Sequence, residues 1–504
     1  MPIRRVGRDT AHMAEPRTHV DGTITPMSAA ALSTAIHAGE VTCVEVMEAY
    51  LDRIDAVNPA HNAIVSLRDR DDLLAEAAQC DGELAAGLSR GWMHGFPLAV
   101  KDLAETKGLR TTGGSPMLAD QVPARDAIVV ERMRGAGALV IGKTNVPEFG
   151  LGSHTYNPVF GTTLNAVDPS RSAGGSSGGG AVALALHMLP VADGSDYMGS
   201  LRNPPGWNGV VGFRPSQGRV PSLPLRDSYI ATMGTEGPMG RDVLDTALLL
   251  GIQAGWDRRD PLSVAGRIEG FDTLETARRT LAPADPDVPL AGVRIGWLAD
   301  LGGHLATEPG VLSTCEARLA TWAAAGAEIV PIALPFSHDE LWEAWVTWRQ
   351  FGVSSGLGLL ADLPRGRELL KPEILWEVDN GRRLTIPDLQ RATVVRTKFF
   401  TAITSLLRSG HLGSGCDVLA LPSAQTWPFP AEWHWPREIA GRTMDTYHRW
   451  MEVTIHATFA GLPCACVPAG LGAEGLPMGI QLIGGPLDDV DTLRIAAACE
   501  IAAS

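Results

Sequence analysis

The stretch Ser172-Ala-Gly-Gly-Ser-Ser-Gly-Gly-Gly180, followed by the small-residue run Ala181-Val-Ala-Leu-Ala-Leu186, is the most informative part of this 504-residue sequence. Glycines beside serines let a backbone approach a neighbour closely and adopt dihedral angles that other residues avoid. Three interpretations compete for the block. They are a phosphate cradle, a nucleophile elbow of the Gly-x-Ser-x-Gly type over 175–179, and a flexible linker.

The flanking sequence weakens each of these three interpretations. No Gly-Lys-Ser/Thr follows the block, as a phosphate cradle would require. An elbow needs a buried strand directly before it, whereas residues 165–172 are typical of a polar loop. The apolar run 181–186 that follows the block disfavours an exposed linker. The block by itself therefore leaves its function open.

Two further segments carry chemistry. A second glycine-serine site spans residues 193–202, and Lys101 ends the apolar, strand-like run 96–100. Only five of the 42 basic residues are lysines, so a lysine in an apolar run stands out. A desolvated lysine can lose its proton and act as a base, whereas arginine stays charged. The alternative is a lysine that ends a strand and pairs with Asp102.

Taken together, these segments resemble the amidase signature family. Lys101 precedes Ser176 by 75 residues, and Ser200 follows Ser176 by 24. The resemblance covers the chain from about residue 27 to the end and is densest over 93–221. Four further segments are similar to the family: Gly142-Lys-Thr-Asn-Val-Pro-Glu-Phe-Gly150, Gly161-Thr-Thr-Leu-Asn165, Gly209-Val-Val-Gly-Phe-Arg-Pro-Ser216 and Leu476-Pro-Met-Gly-Ile-Gln-Leu-Ile-Gly484.

The resemblance implies a catalytic role for three side chains. Ser200 is expected to be the nucleophile, Ser176 the bridge and Lys101 the base, with a cis peptide bond before Ser176. A serine needs a neighbouring proton acceptor to attack a carbonyl. A hydroxyl both donates and accepts, so Ser176 can accept from Ser200 while donating to a neutral Lys101.

The resemblance also implies an oxyanion hole built from the backbone N–H groups of Tyr197, Met198 and Gly199. Here the chain departs from the family, which has a small residue and two glycines before the nucleophile. Backbone donors survive a change of side chain, so the departure affects the expected shape of the substrate rather than the expected reaction. Asp196 and Arg202, which flank the nucleophile, are expected to be scaffold residues.

Apolar runs alternate with helical patterns along the chain, which predicts an α/β fold. We expect one large domain over 27–504, with a mixed twisted β-sheet covered on both sides by α-helices, as in the amidase signature fold. Residues 1–26 are expected to form a flexible tail, and residues 255–291 a surface excursion. Ser28 is expected to cap a short helix, and Thr42 a second one that ends at Asn58-Pro59. Further helices are predicted at 125–136, 179–190, 311–325, 387–408, 445–460 and 488–502, and strands at 138–142, 293–295, 418–421, 464–468 and 478–483.

Composition excludes several classes of protein. A formal net charge of −15 without a basic run argues against nucleic acid as a partner. No run reaches the roughly 18 apolar residues that cross a bilayer, and the N-terminal segment lacks the apolar core of a signal peptide. Seven scattered cysteines predict buried free thiols and a cytoplasmic location. The histidines form no ligand motif, so we expect neither a metal nor another cofactor.

The predicted activity is hydrolysis of C–N amide bonds through an acyl-enzyme, on a small-molecule amide or carbamate. Three tryptophans at 342, 345 and 348 are expected to form a buried helix face, while the proline-rich segment 427–435 either lines the substrate pocket or packs in the core. An aromatic pocket would suit apolar or aryl amides, and urethanase or esterase activity is compatible with the same attack. The alternatives are a noncatalytic binding protein on the same fold and a glutamine-hydrolysing amidotransferase subunit. We expect the protein to be a monomer or homodimer.

Overall fold

The computed structural model describes residues 22–222, 227–408 and 415–503. Most of the tail predicted at 1–26 lies outside these residues. Of its last five residues, Ile24 and Thr25 are buried. The predicted surface excursion at 255–291 contains one helix, Leu274–Leu281.

Helices and strands alternate along most of the chain. The helices are α1 (Ala29–His37), α2 (Cys43–His61), α3 (Arg70–Ala85), α4 (Ile128–Gly135), α5 (Gly178–Ala185), α6 (Asn203–Asn208), α7 (Val243–Gln253), α8 (Leu274–Leu281), α9 (Val311–Ala324), α10 (His338–Asp362), α11 (Gly366–Leu369), α12 (Pro372–Gly381), α13 (Ile386–Thr404), α14 (Ile455–Ala460) and α15 (Asp489–Ile501). The strands are β1 (Ile64–Val65), β2 (Pro97–Lys101), β3 (Leu139–Thr144), β4 (Tyr156–Asn157), β5 (Gly161–Thr162), β6 (Ala192–Asp196), β7 (Val211–Arg214), β8 (Thr235–Gly240), β9 (Arg294–Trp297), β10 (Glu328–Pro331), β11 (Val418–Pro422), β12 (Glu438–Ile439), β13 (Arg442–Thr443), β14 (Cys464–Leu471) and β15 (Pro477–Ile483).

The predicted α/β fold with a mixed sheet between helices is confirmed. Eight strands form the large sheet in the order β10-β9-β11-β15-β14-β7-β8-β6. Its β10, β9 and β11 strands are parallel, and the remaining neighbours are antiparallel. A second, three-stranded sheet in the order β1-β3-β2 contains Lys101 at the end of β2. This small sheet packs against the edge strand β6 of the large one.

Local sequence signals explain where the first helices begin. Ser28 Oγ accepts a hydrogen bond from Ala31 N at the start of α1. Thr42 and Glu45 form a reciprocal capping box at the start of α2. The predicted end of α2 at Asn58-Pro59 is wrong, because the helix continues to His61. A proline in the last turn removes only one helical hydrogen bond.

Most of the later helix and strand predictions also hold. The patterns at 125–136, 311–325, 387–408 and 488–502 correspond to α4, α9, α13 and α15, and the five predicted strands correspond to β3, β9, β11, β14 and β15. The pattern at 179–190 is longer than the helix it predicts, since α5 ends at Ala185 and His187 has a φ of 57°. The pattern at 445–460 contains a 3₁₀-helix, Arg449–Thr454, followed by α14.

Burial confirms the prediction for the cysteines and, for two of three residues, the prediction for the tryptophans. All seven cysteines are buried free thiols. On α10, Trp342 and Trp345 are buried, while Trp348 packs partly exposed against the same core. In the described part of the chain, none of the helices combines the length and apolar character needed to cross a membrane.

Candidate active site

Lys101 lies at the centre of a ring of oxygen atoms. Its Nζ is 2.9 Å from Ser176 Oγ, 2.8 Å from Ser177 Oγ and 2.9 Å from Ser195 Oγ, with Ser195 O at 3.2 Å. The lysine is 1% exposed. Burial disfavours the charged amine and lowers the pKa of Lys101 to about 8. An amine in this environment can exchange a proton with the hydroxyls around it near neutral pH.

The hydroxyl of Ser176 connects Lys101 to Ser200. Ser176 Oγ lies 3.0 Å from Ser200 Oγ, and both serines are buried. The peptide bond between Gly175 and Ser176 is cis, as the resemblance implied. The three side chains named from the sequence therefore form one continuous hydrogen-bonded chain.

The alternative role for Lys101, pairing with Asp102, is not supported. The Asp102 carboxylate accepts hydrogen bonds from Thr112 N and from Thr112 Oγ1, the latter at 2.6 Å. Asp193 instead holds the backbone of Lys101, because its two carboxylate oxygens lie 3.0 and 3.2 Å from Lys101 N. Asp193 thereby ties the end of β2 to the edge strand β6.

The glycine-serine block forms a loop that leads directly into α5. Ser177 is the N-cap residue of α5, but its hydroxyl contacts Lys101 Nζ instead of capping the helix. A Cβ added at Gly179 would lie 2.4 Å from Asn145 N and 2.6 Å from Ala63 O. The glycines thus let the start of α5 lie directly against neighbouring backbone, which explains the unusual composition of the block.

A buried ion cluster shapes the turn that carries Ser200. The Asp196 carboxylate lies 2.9 Å from Arg202 Nη2 and 3.2 Å from Arg214 Nη1, and all three side chains are 0% exposed. Burial alone would raise the pKa of Asp196, but the two guanidinium charges outweigh it and hold the pKa well below its usual value. The scaffold role expected for Asp196 and Arg202 fits these contacts, while Arg214 was not singled out from the sequence.

The same carboxylate engages one of the expected oxyanion donors. Gly199 N donates to Asp196 Oδ1 at 3.0 Å, so this N–H is already occupied. Gly199 has a φ of +89°, and an added Cβ would meet Thr454 at 2.7 Å, which explains the glycine here. Tyr197 and Met198, which precede it, remain candidate donors.

The side chains of these two residues point toward different surroundings. Met198 is buried in the main core. The Tyr197 ring packs edge-on against Trp345 at 5.8 Å and lies under the Arg349 guanidinium at 5.3 Å. The large residue at position 197 therefore fills the space between the nucleophile turn and α10.

Aromatic side chains line two cavities near the glycine-serine loop. The loop 151–154 packs on Gly175, since a Cβ there would lie 2.9 Å from His154 N. This loop lines a narrow cavity of about 10 Å³. A second, outer cavity of about 470 Å³ adjoins it. The cavities share three lining residues, Glu373, Trp435 and Tyr447.

The segment 427–435 divides between two surfaces. Trp435 lines both cavities just described, whereas Trp427 and Trp433 line a separate cleft of about 520 Å³. Phe429 lies between them, packed against Trp207 and Trp450. Within this segment Phe429 thus packs in the core and Trp435 lines a cavity, and the lining of a substrate pocket stays a prediction.

Among the residues that the structure describes, one group of side chains has the composition of a metal site. Single ligand atoms of Cys80, Glu83 and His94 lie within 4.8 Å of one another. His94 already uses both ring nitrogens, with Nδ1 near Arg90 N at 3.1 Å and Nε2 near Cys80 O at 3.0 Å. Glu83 forms a salt bridge with Arg90. These contacts account for the cluster without an ion.

Comparisons with known proteins identify the family of this chain. The family model described as Amidase matches residues 45–493. An acylamidase of Rhodococcus erythropolis is 34% identical over 479 residues, which are 94% of this chain and 95% of that protein. A glutamyl-tRNA(Gln) amidotransferase subunit of Salinispora tropica is 35% identical over 497 residues, which are 95% of this chain and 97% of that protein. The crystal structure of a bacterial aryl acylamidase of the amidase signature family superposes with a TM-score of 0.84 at 27% identity, covering 94% of this chain and 96% of that one. This chain belongs to the amidase signature family.

Proposed function

We propose that this protein is a serine amidase that cleaves C–N amide bonds through an acyl-enzyme on Ser200. The observation that carries the proposal is the buried hydrogen-bonded chain from Ser200 through Ser176 to Lys101. A buried amine with a lowered pKa can accept a proton that a solvated lysine would not accept at neutral pH.

In the proposed reaction, Ser200 Oγ attacks the carbonyl carbon as its proton moves to Ser176, which passes its own proton to Lys101 Nζ. The backbone N–H groups of Tyr197 and Met198 stabilise the oxyanion, while that of Gly199 donates to Asp196. Lys101 then returns the proton to the leaving amine. Water attacks the acyl-enzyme along the same route and releases the acid.

We further propose apolar or aryl amides as substrates. Trp376, Trp435 and Tyr447 line the outer cavity, and Tyr156 and Trp450 line the narrow one. Such surfaces favour flat apolar groups. The similarity to an acylamidase and to an aryl acylamidase supports this class. Carbamates and esters present a carbonyl open to the same attack, so urethanase and esterase side activities are part of the proposal.

A fluorophosphonate probe combined with an anilide assay tests the proposal. The probe is expected to label the wild-type protein and to leave Ser200→Ala unlabelled, because only an activated serine reacts. Ser176→Ala and Lys101→Ala are expected to lower anilide hydrolysis by at least about 100-fold, as loss of a general base does. Absence of labelling in the wild type would indicate the noncatalytic binding protein, and labelling of Ser200→Ala would contradict the choice of nucleophile.

The second candidate is a glutamine-hydrolysing amidotransferase subunit, favoured by the 35% identity with such a subunit over 95% of this chain. The two functions differ in substrate. Cleavage of anilides without glutaminase activity supports the amidase. Copurification with partner subunits together with glutaminase activity supports the second candidate.

A further inference from the structure

Glu236 is far from the proposed base in sequence but lies opposite a residue that contacts this base. It belongs to β8 and stands directly opposite Ser195 in the antiparallel pairing of β6 and β8. Directly opposed residues project to the same face of a sheet. Ser195 contacts Lys101 Nζ through both its hydroxyl and its carbonyl oxygen. The Glu236 side chain therefore shares a sheet face with the Lys101 amine.

The other charged groups around Lys101 have partners of their own. Asp193 accepts hydrogen bonds from the Lys101 backbone, and Asp196 is neutralised by two arginines. The nearby Lys143 donates to Ala104 O at 2.7 Å and to a threonine hydroxyl.

Glu236 differs from these acids in its partners. Within the described residues it forms no salt bridge with an arginine or a lysine. Among the acids near Lys101 it also has the strongest charge interaction with the amine. Its negative charge therefore raises the pKa of Lys101 more than the charges of Asp193 and Asp196 do.

We propose that Glu236 is a positioning residue that stabilises the ammonium formed on Lys101 when the proton of Ser200 arrives. The inference rests on the proposed function, since it requires Lys101 to accept that proton. An anion beside a buried cation lowers the energy of the charged form.

Every proton transferred in the proposed reaction is accounted for without a change in the protonation of Glu236. The O–H bond of Ser200 breaks as its oxygen bonds to the carbonyl carbon, and one proton is passed through Ser176 to Nζ. The ammonium later gives this proton to the leaving nitrogen as the C–N bond breaks. Glu236 forms no bond to the substrate and contributes only its charge.

The electrostatics of the pair agree with this role. Burial lowers the pKa of Lys101 to about 8, and the charge of Glu236 limits this fall. Burial raises the pKa of Glu236 to about 7, and the charge of Lys101 limits this rise. Removal of the carboxylate is therefore expected to lower the pKa of Lys101 further.

The test measures the rate of fluorophosphonate labelling of Ser200 against pH in the wild type, Glu236→Gln, Glu236→Asp and a matched control, Glu308→Gln. Glu308 is an acid of the separate tryptophan cleft, and its carboxylate accepts from Trp427 N at 2.8 Å, which glutamine can also do. In Glu236→Gln the midpoint of the rate–pH curve is expected about one pH unit lower than in the wild type. The labelling rate at high pH is expected to be roughly threefold lower, because a weaker base accepts the proton less readily. Glu236→Asp is expected to show a smaller shift, and Glu308→Gln the wild-type midpoint.

Each outcome decides between the inference and the function on which it rests. A Glu236→Gln midpoint equal to that of the wild type, in a protein of unchanged thermal stability, overturns the role of Glu236 and leaves the amidase proposal intact. No labelling of the wild type overturns both. Should the glutamine variant fail to fold, the aspartate variant carries the test, and an unshifted midpoint there overturns the inference.

Discussion

Replacement of Asp196 by asparagine is expected to destabilise the fold strongly. The carboxylate faces Arg202 and Arg214, and all three side chains are fully buried. Asparagine keeps the size and one acceptor oxygen but removes the charge, which leaves two guanidinium groups uncompensated. Breaking a buried ion pair from one side costs about 3–5 kcal/mol.

The corresponding shift in Tm follows from chain length. An unfolding entropy of about 2.1 cal/mol/K per residue gives roughly 1 kcal/mol/K for a chain of this size, so the variant should melt roughly 3–5 °C lower if it unfolds as one unit. Differential scanning calorimetry and urea titration both measure the effect. The control is Glu131→Gln, which breaks a surface salt bridge with Arg259 and should cost at most about 1 kcal/mol.

The same variant has a signature in pH. Because the pKa of Asp196 is held below its unfolded value, its stabilisation is present above about pH 4, the pKa of an unfolded aspartate, and is lost as pH falls below it. The difference in the free energy of unfolding between wild type and Asp196→Asn should therefore become smaller as the pH is lowered. A difference in the free energy of unfolding below about 1 kcal/mol at pH 7 would refute the reasoning. So would a difference that stays constant down to about pH 3.

Three further predictions concern the base, the glycine block and the thiols. The kcat/KM for an anilide should rise as pH passes through about 8, where Lys101 loses its proton, and a flat profile with acylation rate-limiting would contradict its role as base. Gly179→Ala should lower the free energy of unfolding in urea by several kcal/mol, since its Cβ would meet backbone atoms, whereas Gly82→Ala, in the open interior of α3, should raise it by up to about 1 kcal/mol. A thiol reagent such as DTNB should react slowly with the native protein and then with all seven cysteines in denaturant, and fast reaction in the native state would contradict their burial.

Local patterns in the sequence determined much of the fold and the chemistry of the site. Helix caps at Ser28 and Thr42, and alternating apolar runs, depend on neighbours within four residues, so they could be identified without the structure. The catalytic candidates Lys101, Ser176 and Ser200 could be named because the resemblance preserves their spacing. Pro59 shows the limit of such rules. It was expected to end α2, but the helix continues past it with one hydrogen bond fewer.

The tertiary structure alone decided which distant groups meet. The pairing of β6 with β8 places Glu236 opposite Ser195, and no local pattern encodes that register. In the same way, strand β7 brings Arg214 to Asp196 Oδ1, and this oxygen also accepts the hydrogen bond of the Gly199 amide. Strand order and register follow from the burial of whole faces of the sheet, a property of the complete chain, so the charges around the base are set only once the sheet has formed.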